Sequence, residues 1–264
     1  MCRDCGCSPA VQDEHERAPL PGEEHRVHGQ PEPERVARTI DLHLSLLAKN
    51  DHRAAHNREH FRRAGVLALN LLSSPGSGKT RLLERTLVDL AGRLRMGVIV
   101  GDLQTDNDAR RLSGRGAEVV PITTGNVCHL EAGMVHRACH ALDLDALDVL
   151  FIENVGNLVC PAAFDLGEAA RVVLLSTAEG EDKPQKYPEA FKSAQLVLIT
   201  KMDMAEAAGF DRAAALDNVR TVAPQATVLE VSARSGAGLI DWYAWLLERA
   251  GMRTLNKSAE VALH

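Results

Sequence analysis

Ser73-Ser74-Pro75-Gly76-Ser77-Gly78-Lys79-Thr80 is a loop of small side chains that ends in a lysine and a threonine. An apolar run, 66–72, leads into it, and a helix-like run, 81–94, leads away. Strand, small-residue loop and helix in that order form a phosphate-binding loop. Without bulky side chains, the backbone N–H groups from Ser74 through Gly76, Ser77 and Gly78 to Arg81 can turn inward around phosphate oxygens, helped by the positive end of the following helix. Lys79 then reaches the β- and γ-phosphates, and the Thr80 hydroxyl ligates Mg²⁺. Ser73 stands where the motif usually has its first glycine. The bland alternative is a glycine-rich turn between a strand and a helix.

Further apolar runs at 98–100, 149–152, 172–175, 196–199 and 228–231 alternate with helix-like segments. Strands alternating with helices predict βαβ units, hence a doubly wound, mostly parallel α/β sheet covered on both faces. Ligands of such sheets bind beyond the carboxyl ends of the strands, so polar clusters there should converge. The strand at 98–100 ends in Gly101-Asp102, with Asp106 and Asp108 behind it. The strand at 149–152 ends in Glu153-Asn154-Val155-Gly156, a switch-like spacing of acid and glycine with Glu in place of Asp. Asp102 and Glu153 can hold Mg²⁺ directly or through water, Asp108 is a further candidate, and the Gly156 N–H can sense a γ-phosphate. Thr200-Lys201-Met202-Asp203 is close to an N-K-x-D guanine motif, in which Asp203 accepts from the guanine edge and Lys201 packs on the base. Ser232-Ala233-Arg234 resembles an S-A-K base loop. Any one of these is a weak signal, because an acid at a strand end is often a helix cap. Four in this order predict GTP hydrolysis, with Lys79, Asp102 and Glu153 as the catalytic set and no identifiable arginine finger, hence slow turnover.

At 264 residues, 45% hydrophobic and 25% charged, the chain can hold one α/β domain with appendages. The expected divisions are a flexible tether over 1–33, a helical segment over 34–63 with a break near Asn50, the α/β domain over 64–251, and a disordered tail over 252–264. No apolar run reaches bilayer length and no signal-type segment opens the chain, so a soluble, cytoplasmic protein is expected. A net charge of −6 argues against nucleic acid as the main partner.

Six cysteines without a secretory signal favour thiol chemistry over disulfides. Cys128-His129 and Cys160 offer thiolate and imidazole, a set suited to Zn²⁺ or Ni²⁺ rather than Mg²⁺. Spacing alone leaves open that these are ordinary buried cysteines. Cys2, Cys5 and Cys7 form a second cluster, either a soft-metal site or a cysteine-rich end. His52, His56 and His60, and His136 with His140, recur at i, i+4 and could chelate from a helix face; a solvated face is the alternative. The tether holds only His15, His25 and His28, too few for bulk metal storage.

Gly125-Asn126-Val127-Cys128-His129-Leu130, the run from Phe151 through Glu153-Asn154-Val155-Gly156-Asn157 to Cys160-Pro161, and Glu179-Gly180-Glu181-Asp182-Lys183-Pro184 leading to Lys186-Tyr187-Pro188 resemble the nickel-incorporation GTPases of hydrogenase maturation. The resemblance covers nearly all of 66–248. It implies a GTP-dependent homodimer whose Cys128, His129 and Cys160 bind Ni²⁺ or Zn²⁺ at the subunit interface. It also implies that Lys183 or Lys186 approaches the nucleotide, and that Cys2, Cys5 and Cys7 match an optional nickel motif of the same family. Expected partners are a hydrogenase large-subunit precursor and other nickel-insertion accessory proteins, with no membrane and no nucleic acid. A metal-buffering module with vestigial GTPase activity and a chaperone serving another metalloenzyme are the rival readings.

Overall fold

A computed structural model describes the backbone of residues 33–261 and the side chains of 45–251. Cys2, Cys5, Cys7, His15, His25, His28 and the expected tether around them therefore lie outside the described residues. Along the chain run α1 (Pro33–Ala64), β1 (Leu67–Ser73), α2 (Lys79–Asp89), β2 (Met96–Asp102), α3 (Asn107–Leu112), β3 (Ala117–Thr123), α4 (Ala132–Cys139) and β4 (Val149–Glu153). They are followed by β5 (Ala170–Ser176), α5 (Lys183–Lys186), α6 (Pro188–Lys192), β6 (Leu196–Thr200), α7 (Arg212–Val222), β7 (Thr227–Glu230) and α8 (Leu239–Val261). The compact unit that carries the sheet begins at His43.

Seven strands pair in parallel in the order β3-β2-β4-β1-β5-β6-β7. The inner strands are buried on both faces, which is why they read as nearly continuous apolar runs. Leu69, Leu71, Val98, Phe151, Val172 and Leu198 face α2 and α8, where Leu82, Leu87, Trp242 and Leu246 complete one core. On the opposite face Ala68, Ile99, Leu150 and Ile152 pack with Phe61 of α1 and Val135 of α4. Beside them Val173, Leu175, Val197 and Ile199 pack with Phe191 of α6 and Val219 of α7. Central β1 has β4 on one side and β5 on the other, so the order reverses there and a crevice opens at its carboxyl end. The Ser73–Thr80 loop leaves β1 at that crevice.

Three expectations need correction. β3 is a seventh strand absent from the sequence reading; Pro121 lies within it and cannot donate to a ladder, which restricts such a segment to a sheet edge. α1 runs unbroken through Asn50, whose side chain bonds to neighbouring loops rather than to its own helix: Nδ2 donates to Asp165 O at 2.8 Å and Oδ1 accepts from Ala132 N at 2.8 Å. α8 continues past Gly251 to Val261 where a tail was expected. One glycine costs a helix about 1 kcal/mol and need not end it, and 252–261 contains no proline.

Candidate nucleotide and metal site

The β1–α2 loop is tied together by its own side chains. Lys79 Nζ donates to Ser73 Oγ at 2.8 Å, so the serine in the first-glycine position serves as the lysine's anchor. Ser77 Oγ bonds to Ser74 O at 2.8 Å and also meets Glu179, just beyond β5. Gly78, at φ 98°, turns the chain into α2 through a backbone region that favours glycine. Thr80 Oγ1 donates to Glu153 Oε1 at 2.7 Å, joining the loop to the end of β4. Gly156 lies against the loop from the other side: a Cβ there would come within 2.9 Å of Pro75 Cα.

A cavity of about 480 Å³ opens over this loop and includes Gly76, Gly78, Lys79, Thr80, Asp102, Asp108, Glu153 and Gly156 in its lining. Burial pushes the Glu153 carboxyl up to about 7 against the opposing charge of Lys79 and the Thr80 hydrogen bond. Its Oε2 is buried without a hydrogen-bond partner. An orphaned carboxylate oxygen beside a threonine hydroxyl, with two more aspartates lining the cavity, is a donor set that fits Mg²⁺. Burial also lowers Lys79, opposed by Glu153, Asp108 and Glu179. Asp102 accepts from Thr105 Oγ1 at 2.8 Å, and Asp108 pairs with Arg111. Asp106 instead pairs with Arg110 on the exposed side of α3.

A second cavity, about 370 Å³, adjoins the first at Gly78 and Arg81 and is lined by Thr200, Lys201, Asp203, Met204, Ala233 and Arg234. Thr200 Oγ1 donates to Ser77 O at 2.8 Å, so threonine ties this motif to the phosphate loop. Lys201 adopts a left-handed φ of 60°. Ser232 Oγ donates to Asp203 Oδ1 at 2.5 Å and fixes the carboxylate's orientation. Lys183 pairs with Glu179 at 3.8 Å and Lys186 with Asp182 at 2.5 Å; neither lines the two cavities.

Cys128, His129 and Cys160 come together although the last two are 31 positions apart. One ligand atom from each lies within 4.8 Å of the others. Cys128 and His129 sit in the loop before α4, rather than on the helix itself, and Cys160 opens a short 3₁₀ turn. His129 stacks on Phe164 with ring centroids 3.9 Å apart, and both its nitrogens are buried without a hydrogen bond. Glu131 approaches it only to 3.9 Å. Burial lowers the His129 pKa, favouring the neutral imidazole that metals bind. A hydrogen bond with Cys128, together with burial, raises the Cys160 thiol, so metal binding there releases protons. Cys139, by contrast, is buried among apolar neighbours with its pKa pushed up to about 12, a core residue.

The two parts of the site meet through buried amides. Asn154, next to Glu153, accepts from Leu130 N at 3.1 Å, and its own amide donates to Asn70 at 3.2 Å. Asn70 in turn donates to Glu168 at 3.2 Å. Sequence reasoning missed three of these groups: Arg111 in the cavity wall, Asn154 as a bridge, and Glu179 on the loop. Glu179 follows the end of β5, so the strand-end rule had the signal to find it.

Residues 67–230 match the family model described as the CobW/HypB/UreG nucleotide-binding domain. The chain is 51% identical over 219 residues to the hydrogenase maturation factor HypB of Rhizobium leguminosarum bv. viciae, covering 83% of this chain and 73% of that one. The crystal structure of HypB from Helicobacter pylori in complex with nickel superposes with a TM-score of 0.74 at 42% identity, covering 77% of this chain and 96% of that one. HypB from Archaeoglobus fulgidus gives 0.73 at 38% identity, covering 77% and 100%. A phosphate loop bonded to strand-end acids, an adjoining second cavity and a neighbouring Cys-His-Cys cluster thus occur on the fold of these proteins, and the chain belongs to the HypB hydrogenase maturation factors of the CobW/HypB/UreG family.

Proposed function

We propose that this protein is a GTP-hydrolysing metallochaperone that carries nickel, and also binds zinc, at Cys128, His129 and Cys160 and delivers nickel to a hydrogenase precursor. The observation that carries this reading is the adjacency of Glu153, bonded to Thr80 of the phosphate loop, and Asn154, bonded to the backbone beside His129. In the reaction GTP + H₂O → GDP + phosphate, Lys79 neutralises charge on the β- and γ-phosphates. Thr80, Asp102 and Glu153 would hold Mg²⁺, with Asp108 in reserve, and the bound cation would screen phosphate charge. Asp203 and Lys201 recognise guanine, with Ser232 and Ala233 shaping the base loop. Arg111 lines the phosphate cavity, but Glu84 and Asp108 hold it, so turnover is slow.

Loss of the γ-phosphate changes the contacts of Gly156 and relaxes the end of β4, and Asn154 passes that change to the loop bearing the nickel ligands. Three protein ligands leave a coordination position for a second subunit, so the working form is a GTP-dependent homodimer, and accessory proteins of nickel insertion are its partners. Nickel and zinc titrations with GDP and with a non-hydrolysable GTP analogue test the coupling, in wild type and Cys160→Ala. A nucleotide-dependent nickel affinity that disappears in the variant is expected. Equal affinities in both nucleotide states would remove the coupling and favour a metal-buffering role.

A further inference from the structure

Outside the Cys-His-Cys cluster, histidines from two helices far apart in sequence meet. His56 of α1 and His136 of α4 have ring centroids 5.0 Å apart at 81°, and His136 and His140 are likewise 5.0 Å apart at 79°. Two imidazoles bound to one tetrahedral ion through metal–nitrogen bonds of about 2.0 Å have centroids roughly 5 Å apart, so both pairs have the ring separation of such a site, while their nitrogens must still turn toward a common point. His136 belongs to both pairs. Its Nδ1 is buried without a hydrogen-bond partner, an unusual state for a polar nitrogen unless something else satisfies it.

We propose that His56, His136 and His140 form a second transition-metal site, taking a divalent, late first-row ion such as Ni²⁺, Cu²⁺ or Zn²⁺. Imidazole-only donors suit these borderline ions better than the hard cations that prefer oxygen. His136 is the central ligand, and the exposed rings of His56 and His140 swing in about χ2, a soft torsion, to complete the set. Burial and the charges of His56, Arg53, His140 and His60 lower the His136 pKa and keep its ring in the ligand form. Arg53 is exposed and can turn its guanidinium to solvent. Water fills the remaining coordination positions. The site does not depend on the nickel-delivery reading, since it shares no residue with Cys128, His129 or Cys160.

The test uses the full chain with Cys2, Cys5, Cys7, Cys128 and Cys160 replaced by serine, titrated with Ni²⁺ and Cu²⁺ alone by equilibrium dialysis. X-ray absorption on the bound ion reads its donors. One ion bound through nitrogen and oxygen only is expected, with imidazole scattering. His136→Asn should weaken it at least tenfold, by comparison with the roughly 10–100-fold that losing even a supporting group costs a metal site. His56→Asn and His140→Asn alter exposed side chains and should weaken binding without affecting the fold, as read by circular dichroism. Retention of no ion by this five-serine chain, whose remaining thiol is the buried Cys139, would overturn the site. So would an ion indifferent to all three histidine substitutions, which would place it elsewhere, for example on His15, His25 or His28.

Discussion

The phosphate loop and the Cys-His-Cys cluster lie at the same end of the sheet but are built in opposite ways. In the loop, Lys79, Ser77 and Thr80 each have a hydrogen-bond partner before any ligand arrives, namely Ser73, Glu179 and Glu153. In the cluster, Cys160 hydrogen-bonds with Cys128, and both nitrogens of His129 have no partner. Groups that are partnered in advance lose little freedom when phosphate binds, which suits a site that must stabilise charge. A buried, unpartnered imidazole is costly unless a metal satisfies it, so small displacements of the cluster should change metal affinity strongly. Preorganisation thus belongs to the loop, and an unmet need for a partner to the cluster.

The largest expected effect breaks the first half of that contrast. Lys79→Ala should reduce kcat for GTP hydrolysis by at least about 10²–10³-fold, while nickel binding to the nucleotide-free protein stays as in wild type. A parallel loss of nickel affinity would mean that the two regions are not separable. Next, Asp203→Asn should weaken GTP roughly 10- to 100-fold and improve xanthosine triphosphate, because a charged hydrogen bond to guanine is lost. Competition binding with both nucleotides measures it, and unchanged GTP affinity would remove the guanine assignment.

Most of this architecture could be read beforehand, for identifiable reasons. Strands buried on both faces leave nearly continuous apolar runs, broken inside β1 by Asn70, and the loop at Ser73–Thr80 has a composition that few other structures require. β3 was not legible because it is half-exposed, alternates weakly and contains Pro121. Cys128, His129 and Cys160 were individually ambiguous, since nothing in their spacing reveals that the β3–α4 loop and the turn after β4 approach each other. Likewise Asn50 and Asn154 look like helix and loop residues; their roles come from partners 82 and 24 positions away. Long-range amide contacts leave no periodic trace.

Smaller effects sharpen the comparison at its joint and at its margin. Asn154→Ala should cost about 1–3 kcal/mol in chemical unfolding by stranding the Leu130 N–H and the Asn70 carbonyl oxygen, and it should abolish any difference in nickel affinity between nucleotide states. Retained coupling would show that the signal travels by another route. Glu84 anchors α2 to α3 through Arg111 and to the turn after α3 through Arg115, and also binds Arg81. Burial pushes its carboxyl up, but the arginine hydrogen bonds and charges outweigh it and hold the pKa below the usual carboxylate range. A carboxyl lowered on folding stabilises above its ordinary pKa, and that stabilisation is lost as pH falls through the folded value. Glu84→Gln should therefore cost about 1 kcal/mol at neutral pH, and the difference from wild type should shrink as the solution is acidified below the ordinary carboxylate pKa.

α1 gives the metal region a fixed point. Asn50 and Asn57 grip both backbone groups of Ala132, and they also hold the carbonyls of Asp165 and Leu166. Ala132 closes the segment that carries Cys128 and His129, and residues 165–166 close the one that carries Cys160. Each segment is thus tethered at its far end to a rigid helix and at its near end to the sheet. A shift at the end of β4 cannot be dissipated by sliding the whole loop. It must be absorbed within the few residues that hold the sulfurs and the imidazole, much as a plucked string moves most between its two pegs.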